Sequence, residues 1–365
     1  MGIFTDKVLG AQKERKNMII LKRLSQIFIG LSVVCFFAGV GVLAAHAYFD
    51  DCFFDSIQAF DHPASKFLNP GAKDITVLLV SDSGSYDRIL ESVIGTARKS
   101  HPEYDFMMYL GDMATTGSIT GYYWMLEEIL PKLTGLPMYA IPGNHDVMRR
   151  EGLSKQPVVN KAFYTTVMGA AYYWFGYGNT LFIALDTSTP DIDDAQFQWL
   201  ADTLKNIRPM FRNCVIFNHM PPINTRPDFF EDHTMNPESA DKLASVLRGH
   251  KIDAMFFGHV HYFSTGKFAG IPIYTIPSSG QSVRDKTEPR WGYVTLKIGR
   301  NGIKSVEPSY IDFVGPKREL MEEWWARDIL STKGRDCVTW VFYAFISCLA
   351  IGMIFRIAYK ISNRK

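Results

Sequence analysis

Ile141-Pro142-Gly143-Asn144-His145-Asp146 closes the apolar run Met138–Ile141 with a Pro-Gly turn, then presents an amide, an imidazole and a carboxylate. Asn144 offers a side-chain carbonyl to a metal, and His145 an imidazole able to move a proton. A histidine in a Gly-Asn turn is by itself ordinary surface chemistry, but the company of this one is not ordinary. Asp82 follows the run Ile75–Val80, Gly111-Asp112 follows Phe106–Leu110, and His219 follows Val215–Phe217. Gly258-His259-Val260-His261 follows Ala254–Phe257. Time after time an apolar run ends in a metal-ligand type, which chance rarely arranges.

The runs themselves read as buried strands, being continuous, apolar and rich in β-branched and aromatic residues. Between the first two, Tyr86–Lys99 carries Ile89, Val93 and Ala97 at helical spacing, and Tyr122–Leu133 also reads as helix. Strand–helix–strand order with polar motifs at the strand C-ends is where open α/β sheets bind ligands. Glu151–Thr166 is polar and reads as irregular, and Ala171–Phe175 pairs with Thr180–Leu185 around Gly176–Asn179. The aromatics Tyr172 to Phe175 and Tyr177 are either a substrate wall or a strand with one face in the core. Asp193 reads as a helix cap with Gln196 at capping-box spacing, and Asn236-Pro237 starts another helix. Ile271–Ile276 and Trp291–Ile298 are late strands.

Taken together, Asp82, Gly111-Asp112, Gly143-Asn144-His145-Asp146, His219 and Gly258-His259-Val260-His261 resemble the calcineurin-like metallophosphoesterases, over Ile75 to Leu296. The resemblance implies an α/β fold, a layered αββα sandwich of two mixed sheets. It implies two divalent metal ions with Asp112 as the bridge, Asp82 and His261 on the first, and Asn144, His219 and His259 on the second. Carboxylate, imidazole and amide donors suit Mn, Fe or Zn. Two such ions neutralise phosphate oxygens, activate a nucleophile and stabilise the leaving oxygen of an in-line displacement. The resemblance makes His145 the general acid, and Asp146 either orients it or fixes the loop; these two are the candidate catalytic residues. His259 and His261, alternating in an extended segment, would share one face and grip two neighbouring ions. Asp186 reads as a turn residue and His233 as a substrate contact.

The family has Asp-x-His at its first motif, where this chain has Asp82-Ser83-Gly84. Asp-x-Gly is the form of purple acid phosphatases, in which a Tyr three residues after the second Asp supplies the missing ligand; here that position is Thr115. One metal position is therefore short of a ligand. Thr115, another side chain or water fills it, or it binds weakly, or the chain is a catalytically impaired receptor that binds a phosphoester on the same fold. The remaining set, with His145, favours an enzyme that hydrolyses a phosphomonoester or phosphodiester.

The chain has 365 residues, 47% of them hydrophobic, enough for a substantial core, and its net charge of +2 gives no reason to expect nucleic acid as a partner. Two stretches stand apart. Residues 24–49 are nearly free of charge, and residues 338–359 form a second apolar span. Ala45-His46-Ala47 resembles a signal-peptide cleavage site, but the apolar length favours a retained anchor. Five basic residues, Lys13 to Arg23, precede the first span, and Asp50, Asp51 and Asp55 follow it, so both termini are expected in the cytoplasm and the domain between on the other side. The expected organisation is a basic leader (1–23), a first transmembrane helix (24–49), a linker (50–73) and the catalytic domain (74–316). A juxtamembrane segment (317–335) with Trp324 and Trp325, the second transmembrane helix (338–359) and a short tail (360–365) follow. Tethering at both ends favours a phospholipid or other lipid-linked ester as substrate. Cys52 and Cys337 flank the same predicted membrane face and are candidates for a disulfide.

Overall fold

The computed structural model describes residues 2–56, 63–84, 87–115, 117, 122, 135–150, 157–227, 233–284, 288, 290–312 and 333–363. The chain divides into two compact units, residues 52–327 and a pairing of residues 1–51 with 328–365.

The larger unit holds strands β1 (Phe67–Leu68), β2 (Ile75–Val80), β3 (Phe106–Tyr109), β4 (Met138–Ala140), β5 (Met148–Arg150), β6 (Pro157–Val159), β7 (Tyr173–Tyr177) and β8 (Thr180–Ala184). Then come β9 (Asn213–Asn218), β10 (Ala254–Phe257), β11 (Ser264–Phe268), β12 (Ile271–Thr275), β13 (Trp291–Gly299) and β14 (Gly302–Ile311). Among the described residues, five strands form one sheet in the order β14-β13-β2-β3-β4 and seven another in the order β1-β7-β8-β9-β10-β12-β11. Both are mixed: β2, β3 and β4 run parallel and β13 is antiparallel to β2, while β8, β9, β10 and β12 run parallel, β7 is antiparallel to β8 but parallel to β1, and β11 is antiparallel to β12.

The pleat sorts the strands into layers. Val77 and Leu79 of β2 enter the core between the sheets with Phe106, Phe175, Phe182, Phe217 and Phe256. Leu78 and Val80 point the other way, onto Ile89, Leu90 and Val93 of the helix Asp87–Ser100. On the second sheet Ile183 and Ile216 face outward onto Phe197, Leu200 and Leu204 of Asp194–Asn206 and Leu243 and Leu247 of Pro237–Leu247. Strands covered on both faces must be apolar throughout, which is why they read as continuous runs. The result is the expected αββα sandwich. The aromatic cluster belongs to it: Tyr173, Phe175 and Tyr177 lie in the inter-sheet core and Trp174 in the outer one.

Several local expectations are corrected. The stretch 151–166 was expected to be irregular, but β6 pairs with β5 and Ala162–Met168 is helical, with Tyr164, Val167 and Met168 buried at helical spacing. Phe67 and Leu68, in the expected linker, form an edge strand against Gly176 and Tyr177. Asp193 does cap its helix, accepting the Gln196 N–H at 2.7 Å, but the Gln196 carboxamide leaves the box and bonds both backbone groups of Asp186. The expected helix 122–133 beyond Tyr122, the segment carrying Trp324 and Trp325, and the side chains of Cys52 and Cys337 lie outside the described residues.

The smaller unit contains the helix Gly2–Ser56 up to residue 51 and the helix Lys333–Ser362. Within them Arg15–Ala44 and Val341–Ser362 are long and apolar enough to cross a membrane. They run antiparallel, Phe28 stacking on Phe355 and Phe36 meeting Phe342 and Phe345.

Candidate metal centre

The strand C-ends of both sheets bring the polar motifs together. Asp82 follows β2, Asp112 follows β3, Asn144 and His145 follow β4, His219 follows β9, and His259 and His261 follow β10. Asp82, Asp112, His259 and His261 all have left-handed backbone, with φ of 55°, 57°, 68° and 61°. Such conformations cost on the order of 1 kcal/mol or more each and persist where the surroundings enforce them. Here they turn each side chain back over the sheet edge. This corrects one expectation: His259 and His261 are not alternate residues of an extended strand, since β10 ends at Phe257. Two left-handed turns send them to different carboxylates.

One group of donors surrounds Asp112. The donor atoms of Asp112, His219 and His259 all lie within 4.8 Å of one another. His219 Nε2 lies 3.1 Å from Asn144 Oδ1, 3.2 Å from His259 Nδ1 and 3.5 Å from Asp112 Oδ1. The other ring nitrogen, Nδ1, is 2.7 Å from the Leu110 carbonyl. Donation there fixes the tautomer and leaves the Nε2 lone pair facing the cluster, the usual support of a ligating histidine. The Thr187 hydroxyl accepts the His219 and Met220 N–H groups at 2.9 Å each and holds the loop. A second group surrounds Asp82. His261 Nε2 is 3.3 Å from Asp82 Oδ1, the His261 Nδ1 lies 2.7 Å from the Ser282 carbonyl, and the Ser81 hydroxyl donates to Asp82 Oδ2 at 2.5 Å.

The Asn144 loop closes onto Asp112. The His145 N–H donates to Asp112 Oδ1 at 2.8 Å. A Cβ on Gly143 would stand 2.2 Å from that same oxygen, so only glycine lets the loop approach. The Asp146 carboxylate accepts the N–H groups of Asp112, Ala114 and Gly143 at 2.7, 2.9 and 2.8 Å. Of its two open roles, this is the geometry of loop fixation. The His145 ring is oriented instead by the Thr115 carbonyl, 2.9 Å from Nδ1. Thr115 in turn donates its hydroxyl to the Gly84 carbonyl at 2.6 Å.

Charge is arranged accordingly. Burial pushes the Asp82 carboxyl up, but His261 and then His219 outweigh it and the net shift is down. Asp112 is also held low, burial being more than offset by His219 and His145. Burial would lower the His219 imidazole, yet Asp112 raises it to about 9, while His259, buried beside His219, falls to about 3. Burial and the nearby Asp112 push Asp146 up to about 7 against the pull of its N–H donors.

Carboxylate, imidazole and carboxamide oxygens converging from separate loops fit divalent metal ions. Asp112, Asn144, His219 and His259 are placed to hold one, and Asp82 and His261, with Asp112, another. Asp186 sits apart, tied to Lys161, Ser188 and Gln196. His233 stands beside the centre, its ring 5.5 Å from that of His259. Sequence reasoning overlooked Thr187 and the stretch Ser278–Gln281. The latter was findable: it too follows an apolar run, Ile271–Ile276, and the Ser278 hydroxyl and Gln281 N–H both bond the Asp82 carbonyl.

Comparison with known proteins bears on this centre. The family model for calcineurin-like phosphoesterases matches residues 75–263. A probable cyclic nucleotide phosphodiesterase of Rhodococcus erythropolis is 25% identical over 244 residues, covering 61% of this chain and 74% of that protein. A probable glycerophosphodiester phosphodiesterase of Arcobacter nitrofigilis is 25% identical over 198 residues, covering 50% of this chain and 66% of its own length. Among solved structures, the purple acid phosphatase PPD1 of yellow lupin superposes with a TM-score of 0.50 at 14% identity, covering 67% of this chain and 55% of that one.

Proposed function

The chain belongs to the calcineurin-like phosphoesterase family, and from that premise we propose that it is a membrane-anchored, metal-dependent phosphodiesterase. The observation that carries this reading is the convergence of the Asp112, His219 and His259 donor atoms within 4.8 Å, at the C-ends of strands from both sheets. Asp82, Asp112, Asn144, His219, His259 and His261 would hold two divalent ions, which when bound would supply positive charge against the phosphate oxygens and ease deprotonation of water. The protein's own part is positional and protonic. The Thr115 carbonyl accepts from His145 Nδ1, so Nε2 is the free nitrogen; with the ring protonated at both nitrogens, Nε2 gives its proton to the leaving oxygen as the P–O bond breaks and water oxygen joins phosphorus, leaving the neutral imidazole with its proton on Nδ1. Asp146 keeps the loops of Asp112 and Asn144 in register.

A diester is favoured over a monoester by the relatives, which are described as acting on cyclic nucleotides and glycerophosphodiesters. Membrane anchoring is supported by the two apolar helices, on which Phe37 and Ile354 are 66% and 64% exposed, a burden in water that lipid removes. The basic residues Lys13 to Arg23, on the N-terminal part of the first helix, favour cytoplasmic termini and a catalytic domain on the opposite side. Anchoring on both sides of the domain also favours a lipid-linked phosphodiester.

The test is turnover by purified full-length protein with Mn, comparing bis(p-nitrophenyl) phosphate with p-nitrophenyl phosphate, then a cyclic nucleotide, a soluble glycerophosphodiester and a phospholipid in vesicles. Diester hydrolysis well above monoester hydrolysis is expected. Metal-loaded protein that binds these esters and turns none over is instead the impaired receptor that Gly84 brings to mind.

A further inference from the structure

Resting on that reading of the centre, the geometry points to Gln281 as the residue that replaces the imidazole missing at position 84: we propose that its carboxamide oxygen ligates the first metal ion, beside Asp82 and His261. Gly84 has φ +55°, and a Cβ built there would lie 2.5 Å from both Cγ and Nε2 of Gln281 and 2.9 Å from its Cδ. The space into which a side chain at position 84 would start is thus already filled, by a side chain from another loop. Steric exclusion works both ways, so a histidine at 84 and this position of Gln281 are mutually exclusive.

The backbone around Gln281 ties it to the same group of ligands. Its N–H donates to the Asp82 carbonyl at 2.8 Å, and the next residue's carbonyl, on Ser282, receives His261 Nδ1 at 2.7 Å. The side chain therefore departs from between the two residues placed at the first ion. Its own carbonyl is occupied by Ser278 Oγ at 3.0 Å and Trp291 Nε1 at 2.8 Å, which pin the loop. The carboxamide, by contrast, has no hydrogen-bond partner among the described residues. A half-buried amide with a fixed backbone and unused lone pairs is a ligand in waiting. An amide oxygen in place of imidazole nitrogen also hardens the site, shifting its preference toward Mn or Mg relative to Zn. The Thr115 hydroxyl, the alternative the sequence offered, donates to the Gly84 carbonyl, which fixes the direction of its O–H.

The experiment strips full-length protein in detergent with chelator, titrates it with Mn and counts bound ions per chain by elemental analysis and electron paramagnetic resonance. Wild type should take two ions of unequal affinity. Gln281→Leu, similar in size but without a donor, should keep the tighter ion and weaken the other by at least about tenfold. Gln281→Glu should bind the weaker ion more tightly than wild type, and Gly84→His with Gln281→Ala should recover two ions. A melting curve in chelator that matches wild type shows that each variant is folded. If Gln281→Leu binds both ions as wild type does, or, should that variant fail to fold, if Gln281→Glu leaves the weaker affinity unchanged, Gln281 is no ligand and the phosphodiesterase reading stands. If wild type binds no metal, the reading of the centre falls and the inference with it.

Discussion

The Asp146 carboxylate accepts the backbone N–H of Asp112 at 2.7 Å, although the two are 34 residues apart in sequence and end different strands. With the N–H groups of Ala114 and Gly143 on the same carboxylate, it clamps the β3 and β4 loops together. Asp146→Ala strands three backbone donors in a buried site, at about 1–3 kcal/mol for a group left without its partner. A clear fall in melting temperature is expected even in metal-free protein, with Asp146→Asn, which keeps one acceptor oxygen, less affected. A melting scan in chelator reads this directly, and an unchanged curve for Asp146→Ala would remove the clamp.

His145 stands on the same loop with a different task. Its ring leans on the Thr115 carbonyl and is only partly buried. His145→Ala should therefore fold and bind metal like wild type, yet lose about 10²–10⁴-fold in kcat, the usual worth of a general acid. The loss should be smallest for esters with a good leaving group such as p-nitrophenolate, which needs little protonation. Full activity of the variant on a poor leaving group would take His145 out of the mechanism.

Asp112 faces His219 at 3.5 Å and receives the His145 N–H, and on the proposed reading it bridges the two ions. Asp112→Ala should lose tight binding of both ions, whereas His261→Ala should weaken one. Elemental analysis after gel filtration separates these outcomes, and two retained ions in Asp112→Ala would rule out a bridging role.

Metal removal should itself destabilise the domain. Four candidate ligands hold left-handed backbone, and the two buried carboxylates, Asp82 and Asp112, are compensated by histidines, backbone N–H groups and the Ser81 hydroxyl, with no full positive charge of a metal's strength among the described residues. An ion present at about 100 times its dissociation constant stabilises by about 2.7 kcal/mol. Melting full-length protein with Mn and with chelator should show a lower transition in chelator. Coincident curves would mean that the native protein does not bind Mn.

For the membrane reading, full-length protein in sealed vesicles should expose Lys13–Arg23 to protease from the side opposite the catalytic domain. Extraction by carbonate without detergent, or cleavage of both regions from one side, contradicts two spans.

Residues 75–110 and 138–146 were almost fully legible. Their strands are buried on both faces, so each announces itself as an unbroken apolar run, and each ligand follows at the strand end. The helix Ala162–Met168 was missed because its 7 residues, with Tyr164, Val167 and Met168 buried, are too few for periodicity to emerge. The edge strand at Phe67 was invisible for a different reason: with only two residues paired, its identity depends wholly on the neighbouring β7.

By itself the sequence determined the buried strands that lead into the ligand motifs, which of their ends carry ligand chemistry, and that position 84 holds no imidazole. Those properties are local: apolar runs specify buried strands, and residue type specifies donor chemistry. Tertiary structure decided what depends on contacts between distant loops. It gave Asp146 to the Asp112 backbone, gave the His145 ring to Thr115, and separated His259 from His261 through left-handed turns. It also set Gln281 against Gly84, 197 residues earlier in the chain (281 − 84). No local pattern encodes these pairings, because φ at a loop residue is set by what packs on it, and what packs on it here comes from other strands of the two sheets.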